Sequence, residues 1–304
     1  MVQIYEAIVC TTETFTLGEC CRWDEERAEL CWIDVPSGRF FRARADGTQI
    51  DILNQYDVGP YLTAIAPLEN RSDGWIVATN QSLSLLTESG EITEIARPEG
   101  HNAPDVRTND GSADPWGYFW IGSMAFNAEL GRGSLYRYHE ISGVERRASG
   151  ITISNGIGWS KDRQSMYYVD SGPGTIHKFD VDDCGDIHNQ RTFIQFDVER
   201  DGTPDGLCID ENDAIWVAMW GGYEVRQLSP DGGTISRVKL PTAQPSCCTI
   251  GGEHGTTLYV TTAREDLSEE ILESEPDAGR LFCAEVGVRG LPLNPYRRTP
   301  RRMI

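Results

Sequence analysis

The chain has 304 residues, 39% of them hydrophobic and 24% charged, and a formal net charge of −20. That charge repels a polyanionic partner, which excludes a general nucleic-acid binder and favours small neutral substrates or cations. No apolar run approaches the roughly 18 residues that a membrane span needs, and the opening MVQIYEAIVCTTETF has neither a basic start nor a long apolar core, so a cytoplasmic protein without membrane partners is expected.

Six segments share one pattern, in which an apolar landmark is followed by polar or turn residues and then by a short aromatic and β-branched run. In chain order they are WDEERAELCWIDV from Trp23, APLENRSDGWIVAT from Ala66, ADPWGYFWIGSM from Ala113, WSKDRQSMYYVDS from Trp159, IDENDAIWVAMW from Ile209 and IGGEHGTTLYVTT from Ile250. The landmarks recur roughly every 40 to 50 residues, as the blades of a propeller do. Most cores are followed by a second strand pair with a turn, as in GRFFRARADGTQ, GSLYRYHEISG, GTIHKFDVDDCGD, YEVRQLSPDGG and GRLFCAEVGVRG. Period-2 alternation and Asp-Gly turns fit antiparallel hairpins. The fold expected is all-β, one six-bladed propeller over residues 1–304. Two β-sandwiches also give short, evenly spaced strands, but they offer no reason to repeat one landmark six times. The tail NPYRRTPRRMI, with Arg297, Arg298, Arg301 and Arg302, reads as a solvated end.

Nine cysteines, an odd number, favour free thiols over a disulfide framework. There is no CxxC, HExxH, GxSxG or Walker-type loop, and His101, His139, His177, His188 and His254 stand far apart.

Counting four residues back from each landmark gives Glu19, Leu62, Asn109, Asn155, Asp205 and Ser246. Equivalent positions of successive blades form a ring about the central axis, so these side chains should converge at one mouth of the channel. Glycine or another small residue follows them, as in NDG, SNG and PDG, which permits a close backbone approach or a positive φ. Asn-Gly and Asp-Gly also form ordinary turns, but four copies in register, one of them a glutamate, point to a polar axial site. Two carboxylates facing two amides in a water-poor channel repel unless a cation or protons intervene. A divalent metal ion is the simplest solution. All-oxygen ligation suits Ca²⁺, Mg²⁺ or Mn²⁺, with Fe²⁺ or Zn²⁺ admitted where fewer ligands are used.

The stretches LGECCRWDEERAELCWIDV, RTNDGSADPWGYFWIGSM, SNGIGWSKDRQSMYYVDS, DGTPDGLCIDENDAIWVAMWGG and LYVTTAR resemble the gluconolactonase, regucalcin (senescence marker protein) and luciferin-regenerating enzyme family, from about residue 15 to 285. The resemblance implies a six-bladed propeller holding one divalent metal and hydrolysing sugar lactones. It places the metal ligands on Glu19, Asn155 and Asp205, a general base on Asp205, and contacts to substrate hydroxyls on Arg107 and Asn109. Cys20 and Cys21 stand where members commonly have Gly-Pro, and Asn127 stands where some have an acidic substrate contact, so the lactone itself is left open. A phosphotriesterase-like hydrolase and a non-catalytic calcium-binding regulator are the alternatives on the same ligands.

Cys20 and Cys247, like Cys21 and Cys248, occupy equivalent positions in the first and last blades, and their thiols are expected near the metal mouth, by small-residue packing or as a redox gate. Trp23, Trp159 and Trp216 read as core or pore wall. Trp220 is the tryptophan that can reach the substrate pocket, and His101 is a loop residue.

Overall fold

The computed structural model describes residues 2–99 and 103–298. The chain forms six sheets, antiparallel except for one added strand in the fifth, the architecture of a six-bladed β-propeller. Their innermost strands are Gly18–Asp24, Leu62–Pro67, Val106–Ala113, Ser154–Trp159, Thr203–Ile209 and Pro245–Gly251. Each touches the next all the way round, the first packing against the sixth. Among the described residues no helix is long and apolar enough to cross a membrane.

The recurring landmark has a physical cause in the residue that follows it. Asp114 Oδ1 accepts the amides of Trp116, Gly117 and Tyr118 at 2.7–2.9 Å, and its Oδ2 accepts Trp120 Nε1 at 2.8 Å. Asp210 repeats this on Asn212, Ala214 and Trp216 Nε1, and adds Gln227 Nε2. Asp24 caps the same turn through Glu26 N, and Ser160 does so through Ser165 N. One buried oxygen pair thus ties the turn between the first two strands to a core tryptophan. Burial pushes the Asp114 carboxyl up to about 6 against the pull of those hydrogen bonds.

The two ends of the chain depart from the expected hairpins. GRLFCAEVGVRG supplies only the strand Phe282–Glu285, and the sixth blade takes its outer strand from the N-terminus, Ile8–Val9 pairing with Cys283 and Phe282. Gln3–Glu6 adds a fifth strand, parallel to Thr234–Lys239, in the fifth blade. The chain after Glu285 crosses the underside instead. Gly290 bridges to Asp210, Leu291 N donates to Ile209 O, and Tyr296 bridges to Leu68. Arg297 is docked rather than solvated, with its guanidinium on Glu69 at 3.0 Å and on the Pro115 carbonyl at 2.8 Å. Arg298 pairs with Glu140 at 2.7 Å, while Arg301, Arg302 and His101 lie outside the described residues.

Removing a turn-holding carboxylate strands several buried donors at once. Asp210→Ala is expected to cost about 3 kcal/mol in urea unfolding, read as a lower midpoint at unchanged slope. Asp46→Ala, at an exposed position, should stay within about 0.5 kcal/mol.

Candidate metal centre

At one height all six inner strands lose register with their neighbours. In four of them two residues oppose one: Cys20 and Cys21 face Trp32, Asn109 and Asp110 face Gly122, Asn155 and Gly156 face Val169, and Asp205 and Gly206 face Ala218. Such a bulge bends the strand and re-aims its side chains. In the third, fourth and fifth blades the bulge carries Asn109, Asn155 and Asp205 to the wall of a cavity of about 360 Å³ at the end of the channel where the inner strands begin, and Glu19, the last paired residue before the bulge of the first blade, joins them there. The glycines serve close approach rather than a positive φ. A Cβ on Gly156 would stand 2.7 Å from the Asp205 carbonyl oxygen, and one on Gly206 would stand 2.5 Å from Cys247 Sγ.

The counted ring is therefore met at four of its six positions. In the second blade the irregularity inserts only Thr63, so Leu62 turns into the hydrophobic core while Thr63 lines the cavity and bonds Thr108 Oγ1 at 2.7 Å. Ser246 is buried, spends its hydroxyl on Gly18 O and Thr261 Oγ1, and stays outside the cavity wall. Asn127 is exposed, accepts the Glu129 amide and is not part of the cavity wall. Trp220 does line it. No hydrogen bond joins the four thiols at equivalent positions to one another. Cys20 Sγ lies between Ile65 N and O, Cys21 Sγ faces Tyr259 O, Cys247 Sγ takes Arg22 Nη1 and Cys248 Sγ faces Trp216 O, all packed between blades and away from the cavity wall.

The cavity is built in layers. Leu17, Arg107, Ile153 and Thr203 stand two residues before the four ring members on the same strand face, one step nearer the mouth, as period-2 alternation requires. Val35, Met124, Ser171, Trp220 and Glu265, at or just beyond the ends of the second strands, complete the wall. Glu265, Asp110 and Ser171 escaped the sequence reading. Ser171 and Glu265 lie off the inner strands, where no landmark counts them.

Hydrogen bonds fix the amides. Arg107 Nη1 donates to Asn109 Oδ1 at 2.6 Å, and Asn109 Nδ2 donates to Asn155 Oδ1 at 2.9 Å and to Ser154 O at 2.8 Å. Asn155 Nδ2 donates to Ser171 Oγ, and that hydroxyl donates to Pro204 O. These bonds orient the Asn155 oxygen and use up the Asn109 amide. The carboxylates are less satisfied. Among the described residues Glu19 Oε2 accepts only the Cys20 amide, and Asp205 Oδ1 is buried with no hydrogen-bond partner. Burial first, then the charge of Asp110, pushes Glu19 up to about 8, and burial with the charges of Glu19 and Asp110 holds Asp205 well above the usual carboxylate range. Below the ring, Arg22 pairs with Asp110 at 3.5 Å and bonds the Gly111 carbonyl at 3.2 Å, which commits Asp110 elsewhere.

Among the described residues no three His, Cys, Asp or Glu side chains gather as a metal cluster. The donor set here is of another kind, two carboxylates and one oriented amide oxygen. An Asp205 oxygen buried without a partner among the described residues, the repulsion of Asp205 by Glu19, and hard oxygen donors fit a divalent ion, which would relieve both costs together.

A family model described as SMP-30/Gluconolactonase/LRE-like region matches residues 17–264. The chain is 35% identical to an L-arabinolactonase of Azospirillum brasilense over 292 residues, covering 94% of each protein. It is 30% identical to a 6-deoxy-6-sulfogluconolactonase of Pseudomonas putida, covering 94% of this chain and 97% of that one. Of the solved structures, a calcium-binding protein, regucalcin, from Agrobacterium tumefaciens superposes with a TM-score of 0.88 at 25% identity over 98% of this chain and 100% of that one.

The strain at the ring makes a signed prediction for chelator-treated protein. Glu19 keeps its proton in the fold up to about pH 8 and releases it near 4.5 when unfolded. Its contribution is therefore complete below 4.5 and is lost as pH rises toward 8. Thermal melts of the stripped protein should show Asp205→Asn to be more stable than the unmutated chain at pH 8, by at least about 1 kcal/mol. A divalent ion should raise the melting temperature of the unmutated chain and leave that of the variant unchanged.

Proposed function

The chain belongs to the SMP-30/Gluconolactonase/LRE-like family, and on that premise we propose that it is a cytoplasmic, divalent-metal-dependent hydrolase that opens a sugar lactone or a similar small lactone ring. The observation that carries the proposal is the buried Asp205 oxygen, without a hydrogen-bond partner among the described residues, beside Glu19 at the base of a cavity of about 360 Å³. Two of the relatives named above are called lactonases, which supports the reaction class.

Glu19, Asn155 and Asp205 would hold the ion, Asn155 through the oxygen that its bonds to Asn109 and Ser171 orient. When bound, the ion supplies the positive charge that polarises the ester carbonyl or acidifies a water. Asp205, whose Oδ1 has no hydrogen-bond partner among the described residues, takes the proton of the attacking water. Arg107, anchored by Asn109 and by the Thr108 carbonyl, offers its remaining donors to ring hydroxyls. Asn109 acts as a positioning residue, since its amide is already shared between Arg107 and Asn155. Leu17, Val35, Met124, Ile153 and Trp220 supply the apolar wall that excludes water from the C–H faces of the ring.

Proton release from a panel of aldonolactones tests the proposal. Chelated protein should be inactive and regain turnover with one of Ca²⁺, Mg²⁺, Mn²⁺, Zn²⁺ or Fe²⁺. Asp205→Ala should remain slower by on the order of 10³-fold under every ion. Tight ion binding without turnover on any lactone would move the assignment to a calcium-binding regulator.

A further inference from the structure

Above the metal ring the cavity wall carries two charged groups. One is Arg107, from the third blade. The other is Glu265, which follows the second strand of the sixth blade, Thr257–Thr262. The equivalent positions of other blades offer Val35, Met124, Ser171 and Trp220, none of them ionic. Glu265 is half-buried, and burial raises its carboxyl while the neighbouring Arg107 charge lowers it. The influences on it among the described residues are burial and the charges of Asp266, Arg107 and Asp34, with no hydrogen bond. A carboxylate that loses water on entering a wall and gains no donor is held at a cost. A ligand hydroxyl is the donor that repays it.

Resting on the lactonase reading, we propose that Glu265 is a specificity-determining residue, its carboxylate accepting a hydroxyl of a neutral polyhydroxylated lactone whose ester lies over the Glu19, Asn155 and Asp205 ring. Arg107 donates to the same ligand. The acidic hydroxyl contact is thereby supplied by the sixth blade, whereas Asn127 stands exposed outside the cavity. The carboxylate also disfavours lactones that carry an anionic substituent at this point, because two negative charges would meet across a partly desolvated wall.

Glu265→Gln keeps the shape of the side chain and removes the charge. With the metal-loaded protein, KM for glucono-1,5-lactone should rise about tenfold, the worth of one charge-assisted hydrogen bond, with kcat nearly unchanged. The kcat/KM for δ-valerolactone, the same ring without hydroxyls, should stay the same and shows that the variant is folded. Calorimetric binding of D-glucitol, a polyol with no ester, should weaken by a similar factor. Equal effects on both lactones, or no effect on either with glucitol binding unaltered, would overturn the assignment of Glu265 and leave the hydrolase reading standing. Glucitol binding that depends on Glu265 in a protein that hydrolyses neither lactone would sink the hydrolase reading and the lactone's orientation with it, and keep only the carboxylate-to-hydroxyl contact. An unmutated chain that binds none of the three would overturn both.

Discussion

The two-against-one bulge near the start of the inner strands is the constraint on which the site depends. A regular strand would direct alternate side chains into the neighbouring blades, where the core lies. The extra residue sets Asn109, Asn155 and Asp205 at the bulge, and the glycines directly after Asn155 and Asp205 let those inner strands sit against the next. A Cβ on Gly156 would run into the Asp205 carbonyl, so backbone packing in one blade sets the position of a polar group in another. Buried carboxylates follow from that backbone. Their desolvation is borne by the scaffold, through inter-blade packing and the turns that Asp24, Asp114 and Asp210 hold.

The channel is asymmetric along its axis. On the far side Arg22 lines a second cavity of about 90 Å³, which the chain from Gly290 to Asn294 covers. Its partner Asp110 belongs to the wall of the first cavity, so one buried ion pair separates the two. The underside is covered by the C-terminal crossing, while the N-terminal strand completes the sixth blade at its outer edge. The opposite mouth carries the candidate site, with apolar side chains and two opposed charges in the wall above a polar base. That division lets the binding layer vary without disturbing the ring beneath it.

The fold was legible because the landmark precedes a turn-holding side chain in four blades, which leaves a fixed mark in the sequence. The ring was legible for the same reason, since Glu19, Asn109, Asn155 and Asp205 keep one distance from it. Counting failed in the second and sixth blades, where a single inserted residue replaces the two-residue bulge, so that Thr63 rather than Leu62 reaches the cavity and Ser246 stays in the packing. Glu265 was invisible because it lies beyond a second strand, in a segment with no periodic signal. The docking of Arg297 was likewise hidden, since its partners Glu69 and Pro115 come from distant parts of the chain.

The account turns on one claim, that Glu19 and Asp205 are buried together in order to share a cation. Anomalous scattering from a crystal soaked in Mn²⁺ after chelation tests it most directly. The account predicts one strong peak on the channel axis, within direct coordination distance of Glu19, Asn155 and Asp205. A peak confined to surface carboxylates, with the Asp205 oxygen donating a proton to Glu19 instead, would contradict it.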